Sequence, residues 1–287
     1  MLPIALALMA AMLFGVSSII AKRGLSHVDP QAGATLAIGA TALVFALTSP
    51  LWMRAGQWFT PGFWVFVANG LIHPMLSLYM ALESLRRAGP TVSATFTATA
   101  PLFAALTAVL FLGESFTLPI AAGTLGTIAG IIAISWQPGG VPTLLRTALL
   151  FATGAAAVRG LNHSVGKFGL ELLPNVFMAG FVSFSVSFIG SLIVYRMRTG
   201  GFPRGVPRGA LLSFGTTGLL VAGAISCMYG ALLLGQVVIV SPIVASYPLF
   251  TMLSAWVFRQ EALRRRAVFG VLLVVGGVVL ISFGQAA

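Results

Sequence analysis

One arginine stands inside an otherwise uncharged apolar run: Arg159, within residues 147–165. Asn162 and His163 follow at i+3 and i+4, and Lys167 lies four residues beyond His163. On a helix these residues share one face, a cationic stripe suited to receiving a carboxylate. The alternative is that Arg159 pairs with helix-end carbonyls or extends its head toward the membrane surface. A second stripe holds Asn69, His73 and Ser77 at i, i+4 and i+8. Pro74 beside it lacks an N–H and so frees a backbone carbonyl. The His73 ring either is satisfied by a neighbour or carries protons. Thr91, Thr95 and Thr99 repeat the spacing ahead of Pro101; such hydroxyls either face a ligand or bond the preceding turn and neighbouring helices.

Tyr79 and Tyr229 occupy matching places, each followed two residues later by Ala-Leu. With Ser226 and Tyr247 they could line a cavity, offering an apolar ring with one polar handle. An interfacial aromatic girdle is the other reading of the tyrosines. Pro101, Pro242 and Pro248 read as kinks that let helices bend in gating. Gly123, Gly126, Gly130, Gly270, Gly276 and Gly277 read as points of close helix contact. The acids Asp29, Glu83, Glu114, Glu171 and Glu261 all fall at the ends of apolar runs or between them. Cys227 is the only cysteine, which excludes an internal disulfide and a cysteine metal cluster. No hydrolase elbow, zinc-protease pair or paired aspartates within an apolar run appear, so no enzyme, metal or cofactor is called for.

Those side chains must be positioned by a membrane domain. The chain is 58% hydrophobic and 7% charged, with a mean hydropathy of +1.02, a composition that water does not support. The net charge of +11 sits in short gaps, where it orients a chain in a bilayer rather than binding nucleic acid. Ten windows are long enough to cross: 3–21, 32–53, 62–82, 91–112, 118–136, 147–165, 175–195, 210–234, 237–258 and 267–284. The first has no preceding base and is followed by Lys22-Arg23, so it reads as a span and not a signal peptide. The expected fold is an all-α membrane protein.

The chain also repeats itself. Ala100-Pro-Leu-Phe to Glu114 recurs as Tyr247-Pro-Leu-Phe to Glu261, and the offset of 147 continues through Gly123/Gly270 and Gly130/Gly277. Phe14-Gly-Val-Ser-Ser aligns with Arg159-Gly-Leu-Asn-His at an offset of 145. The expected repeats are 1–137 and 146–287, joined by a linker over 138–145. Five helices per repeat is odd, so the second half enters from the opposite side, an inverted repeat. The odd-numbered gaps hold thirteen bases and the even-numbered gaps only Arg54 and Lys167. By the positive-inside rule the odd gaps are cytoplasmic and both termini periplasmic.

Two five-helix halves, each with Pro-Leu-Phe about twelve residues before a Glu at a helix end, resemble the ten-helix drug/metabolite transporter superfamily, within it the EamA-type exporters. The most specific block runs from Tyr79 to Glu114, and the nearest branch is that of the bacterial amino-acid exporters, including the aromatic one. Arg259-Gln260 replaces the Leu-Gly usual before the second Glu. Members are often drawn with cytoplasmic termini, against the charge count. The resemblance implies a secondary transporter exporting amino acids or similar small metabolites with broad specificity. It would work as a monomer in a bacterial inner membrane, by alternating access. The cavity would lie between the repeats, lined by helices one, three, four, six, eight and nine. Small multidrug antiporters of the superfamily use a midmembrane carboxylate, which this chain lacks, so a neutral, zwitterionic or anionic solute is expected. A sugar-phosphate, nucleotide-sugar or drug carrier is the alternative, and an intramembrane enzyme a remote one.

Overall fold

The computed structural model describes residues 1–80, 84, 96, 98–135, 145–203, 205–257 and 265–284. The helices are α1 (Leu2–Gly24), α2 (Pro30–Thr48), α3 (Pro61–Ile72), α4 (Ala100–Leu112), α5 (Leu118–Ser135), α6 (Leu145–Leu172), α7 (Val176–Thr199), α8 (Arg208–Leu234), α9 (Val237–Ala245), α10 (Tyr247–Val257) and α11 (Arg265–Gly284). Among the described residues there is no strand. Helices satisfy backbone groups within one segment, which hydrocarbon demands. Their starts are written locally. Asp29 accepts from Gln31 N and Ala32 N ahead of α2. Thr60 accepts from Phe63 N ahead of α3, and Asn175 from Phe177 N and Met178 N ahead of α7. Gly113 and Gly200 close α4 and α7 at φ of 66° and 74°, a left-handed turn that favours glycine.

Six spans are long and apolar enough to cross a membrane: Leu2–Gly24, Pro30–Leu51, Pro61–Met80, Val176–Thr199, Arg208–Leu234 and Val237–Val257. Ala100–Leu112, Leu118–Ala133 and Val268–Gly284 are shorter apolar helices. α6 falls outside both groups because Arg159, Asn162, His163 and Lys167 lower its hydropathy. Outward-facing side chains such as Phe111 (77% exposed) and Leu118 (81%) are large and apolar, as lipid contact requires.

Three expected spans are broken, those over 62–82, 91–112 and 237–258. In place of one helix over 62–82, α3 stops at Ile72 and helix resumes over 75–80. His73 is extended (φ −129°, ψ 135°) because a residue before proline is disfavoured from the α region. In place of one helix over 237–258, Ser246 separates α9 from α10. The same turn precedes α4. Thr99 Oγ1 donates to Phe96 O at 2.6 Å, and Ser246 Oγ to Ile243 O at 2.6 Å. Leu102 N donates to Thr99 O, and Leu249 N to Ser246 O, both at 2.9 Å. The equivalents are 147 residues apart, so both repeats build the same break one turn ahead of Pro101 and Pro248.

Packing between helices comes in exchanged pairs. α1 lies on α8 as α6 lies on α3, α1 on α10 as α6 on α4, α2 on α7 and α5 on α11. A Cβ on Gly15 would sit 2.5 Å from Phe250 Cβ, and one on Gly160 would sit 2.7 Å from Phe103 Cβ. Gly24 abuts the Phe214 ring as Gly169 abuts the Phe66 ring, at 2.8 and 2.6 Å. A Cβ on Gly123 would sit 2.5 Å from Gly277 O, and one on Gly130 would sit 2.6 Å from Gly270 O. Each contact recurs with the partners swapped between repeats, which is what a two-fold relation between two inverted halves produces. Of the other glycines expected at close contacts, a Cβ on Gly126 would sit 3.6 Å from Gly277 Cα, and nothing lies within 4 Å of a Cβ on Gly276.

Candidate substrate cavity

A cavity of about 310 Å³ lies between the repeats, within the range of small-molecule sites. Its two repeat-equivalent walls come from α1 and α6: Phe14, Ser17 and Ser18 on one side, Arg159, Asn162 and His163 on the other. Gly15 and Gly160 hold these walls close to α10 and α4 respectively. All three breaks reach the cavity, through His73, Pro74 and Ser77 at the first, Ala98 and Ala100 at the second and Tyr247 and Pro248 at the third. The expected wall of helices one, three, four, six, eight and nine is therefore extended. α2 adds Ile38 and Thr41, α5 adds Ile131 and α7 adds Phe184.

Arg159 Nη1 donates to Tyr247 Oη at 3.3 Å. None of the described lining residues is an Asp, Glu or Lys, so the guanidinium meets no counter-charge among them. Asn69 sits one layer behind and holds Asn162 in place. Its Nδ2 donates to Asn162 Oδ1 at 2.8 Å and to Tyr229 Oη at 3.3 Å. Tyr229, 1% exposed, thus supports the site from inside the core and does not line it. His163 Nδ1 and Ser241 Oγ are buried at the cavity with no hydrogen-bond partner among the described residues.

Of the residues singled out from sequence, Arg159, Asn162, His163, His73, Ser77, Tyr247 and Pro248 line the cavity, and Asn69 and Tyr229 back it. The others are placed elsewhere. Tyr79 lies off the cavity, where Arg198 Nη2 donates to its hydroxyl at 2.9 Å and the guanidinium carbon sits 4.7 Å from the ring centroid. Ser226 Oγ donates to Ala222 O at 2.9 Å in its own helix, and Thr99 serves the turn before α4. Pro101 is buried behind Ala100, and Pro242 lies inside α9 without ending it. Thr95 falls outside the described residues, as does Thr91. The carbonyl freed by Pro74, that of Gly70, accepts from Ser187 Oγ at 2.5 Å and is not offered to a ligand. Lys167 leaves the cationic stripe: its Nζ donates to Gly235 O at 2.7 Å and stands 3.6 Å from Glu114 Oε1.

Sequence reasoning passed over Ser17, Ser18, Thr41 and Ser241. A signal for the first two existed, since the offset of 145 aligns them with Asn162 and His163. It also passed over Glu114, whose carboxylate accepts from Val237 N at 2.8 Å and Val238 N at 2.9 Å at the start of α9. Together with Asn175 Nδ2 donating to Trp52 O and Gln57 Oε1, and Gly235 against Pro3, these contacts gather the even-numbered gaps and the amino terminus at one end of the bundle.

An all-helical, two-repeat bundle with a lipid-facing surface and a solute-sized cavity on the repeat interface defines a membrane transporter of small molecules. The EamA-like transporter family, part of the drug/metabolite transporter superfamily, matches residues 1–136 and 146–283. The chain belongs to that family. A crystal structure of a protein superposes with a TM-score of 0.85 at 16% identity, over 99% of this chain and 97% of that one; at that identity the likeness speaks to fold alone. No curated protein matches the sequence.

Proposed function

We propose that this protein is a secondary transporter that exports amino acids or similar small metabolites. It alternates access as a monomer in a bacterial inner membrane. Its two repeats, 1–137 and 146–287, rock about the cavity and are joined through 138–145. The observation that carries the substrate reading is Arg159. Among the described residues it is the one side chain of Lys, Arg, Asp or Glu type lining the cavity, and its described hydrogen bond is to a neutral hydroxyl. A guanidinium inside a membrane span is costly without an anion, and a carboxylate matches its fork of donors. Ile38, Leu78, Phe184 and Ile225 form an apolar remainder that accepts side chains of varied shape, which supports broad specificity. Sugar phosphates call for further cations, and Lys167 is engaged away from the cavity.

The distribution of basic residues supports cytoplasmic odd gaps and periplasmic termini. The test is counterflow: purified protein in liposomes filled with unlabelled amino acid, a panel of labelled amino acids outside, and no ion gradient. Accumulation of label is the expected result; its absence for every amino acid, with protein folded and inserted, sinks the reading.

A further inference from the structure

The hydroxyls around the cavity do not all offer the same thing. In the first repeat, Ser17 Oγ and Ser18 Oγ each donate to Phe14 O at 2.8 Å. Thr41 Oγ1 donates to Ala37 O at 2.9 Å and Ser77 Oγ to Pro74 O at 3.1 Å. All four line the cavity. A hydroxyl carries one proton and two lone pairs. With its proton committed to its own helix, each presents lone pairs to whatever enters. These four hydroxyls therefore form a wall of acceptors in the first repeat, beside the ring of His73.

The second repeat is the opposite. Arg159 directs one described donation at Tyr247 and keeps the rest of its guanidinium donors. Asn162 has its oxygen taken by Asn69, which leaves the amide –NH2 to donate. Ser241 Oγ, in a residue 1% exposed, has no partner among the described residues and its proton is uncommitted. Phe14, Ser17 and Ser18 are the repeat equivalents of Arg159, Asn162 and His163. The cavity thus has related walls on either side of the repeat axis, one built to donate and the other to accept.

We propose that this polarity selects zwitterions: Arg159, Asn162 and Ser241 take a carboxylate, and Ser17, Ser18, Thr41 and Ser77 take the ammonium of the same solute. The assignment rests on the transporter reading above and names its substrate class, an α-amino acid with an apolar side chain. It also supplies what the absence of a carboxylate among the described lining residues left open, namely how an ammonium is held. Lone pairs of oriented hydroxyls do so without a formal charge; the zwitterion is neutral overall, so the carboxylate pairs with Arg159 locally while the loaded cavity keeps one net positive charge.

The test compares leucine, 4-methylpentanoate and leucinamide, which share one apolar body and carry both charged groups, the carboxylate only, or the ammonium only. Each is assayed as competitor and as labelled substrate in liposomes. Wild-type protein is expected to prefer leucine over each of the others by about tenfold or more, the worth of charge-assisted hydrogen bonds. The double variant Ser17→Ala/Ser18→Ala should lose affinity for leucine while leaving that for 4-methylpentanoate unchanged; a merely structural role would weaken both alike. If wild-type protein carries 4-methylpentanoate as well as leucine, the acceptor wall is wrong while a small-molecule carrier remains. The acceptor wall is equally overturned if the double variant keeps the preference. If none of the three compounds moves or competes, the zwitterion assignment and the amino-acid reading both fall.

Discussion

Lys167 Nζ stands 3.6 Å from Glu114 Oε1 and donates to Gly235 O at 2.7 Å. One ammonium thereby joins the end of α4 to the junction of α8 and α9. The carboxylate completes the joint by accepting from Val237 N and Val238 N, two donors that a helix start leaves without intrahelical partners. A negative group there also meets the positive end of the α9 dipole. This end of the bundle, shared by the even-numbered gaps, is tied by the buried groups of Glu114, Val237 and Val238 and by the partly buried Lys167 and Gly235.

Replacing Glu114 should therefore destabilise the fold. Glu114→Ala leaves two amide donors and the Lys167 ammonium without their partner and is expected to cost about 2–4 kcal/mol. Glu114→Gln, which keeps one acceptor, should cost less. Thermal melts of the purified protein in detergent measure both. Equal melting temperatures for Glu114→Ala and wild type would show that the joint contributes nothing.

Arg159→Met keeps much of the side chain's length and removes the charge. Counterflow of amino acids should fall to background, while Arg159→Lys, a point charge without the fork, should retain a reduced rate, down by about tenfold or more. Unchanged transport in Arg159→Met would refute the carboxylate contact.

The exchanged contacts predict paired effects. Gly15→Val and Gly160→Val push side chains against Phe250 and Phe103 respectively, where a Cβ already falls at 2.5 and 2.7 Å. Each should destabilise by about 1–3 kcal/mol or more. Gly276→Val, with nothing within 4 Å, should change stability by no more than about 0.5 kcal/mol. A melt series in one detergent makes the comparison, and a harmless Gly160→Val would contradict the packing.

Tyr79 and Ser226 lie off the cavity. Tyr79→Phe removes the bond from Arg198 and Ser226→Ala a bond within α8, and both should transport amino acids within about twofold of wild type, as substitutions away from the binding surface do. A severe loss in either would extend the site to that residue.

Orientation is read by cysteine labelling after Cys227→Ser. A Cβ added at Gly56 or Gly201 would meet nothing within 4 Å, so both positions accept Gly56→Cys and Gly201→Cys. In intact cells an impermeant maleimide should label Gly56→Cys at once and Gly201→Cys only after permeabilisation. The reverse pattern would invert the topology.

Much of the architecture was legible in residue order. Hydrophobic runs announce spans because hydrocarbon demands them, and an odd number of spans per repeat imposes inversion. The swapped glycine contacts follow from that inversion, and their members were visible as residues sharing an offset of 145 or 147. The breaks at His73 and Ser246 were less legible, because hydropathy stays high through Pro74 and Pro248 while proline acts on the backbone before it. Arg159, Asn162 and His163 were found because buried charge and helical spacing are local properties.

Residue order alone was enough for the membrane class, the duplication and the stripe on α6. Which polar groups meet was settled by packing. It moved Lys167 out of the stripe to Glu114, gave Tyr79 to Arg198, closed the carbonyl freed by Pro74 with Ser187, and set Ser17 and Ser18 opposite Arg159. The reason is physical. A hydroxyl or ammonium takes its role from the partner that reaches it. In a helical bundle many of those partners come from distant parts of the chain, brought within hydrogen-bond reach by contacts that no local pattern records.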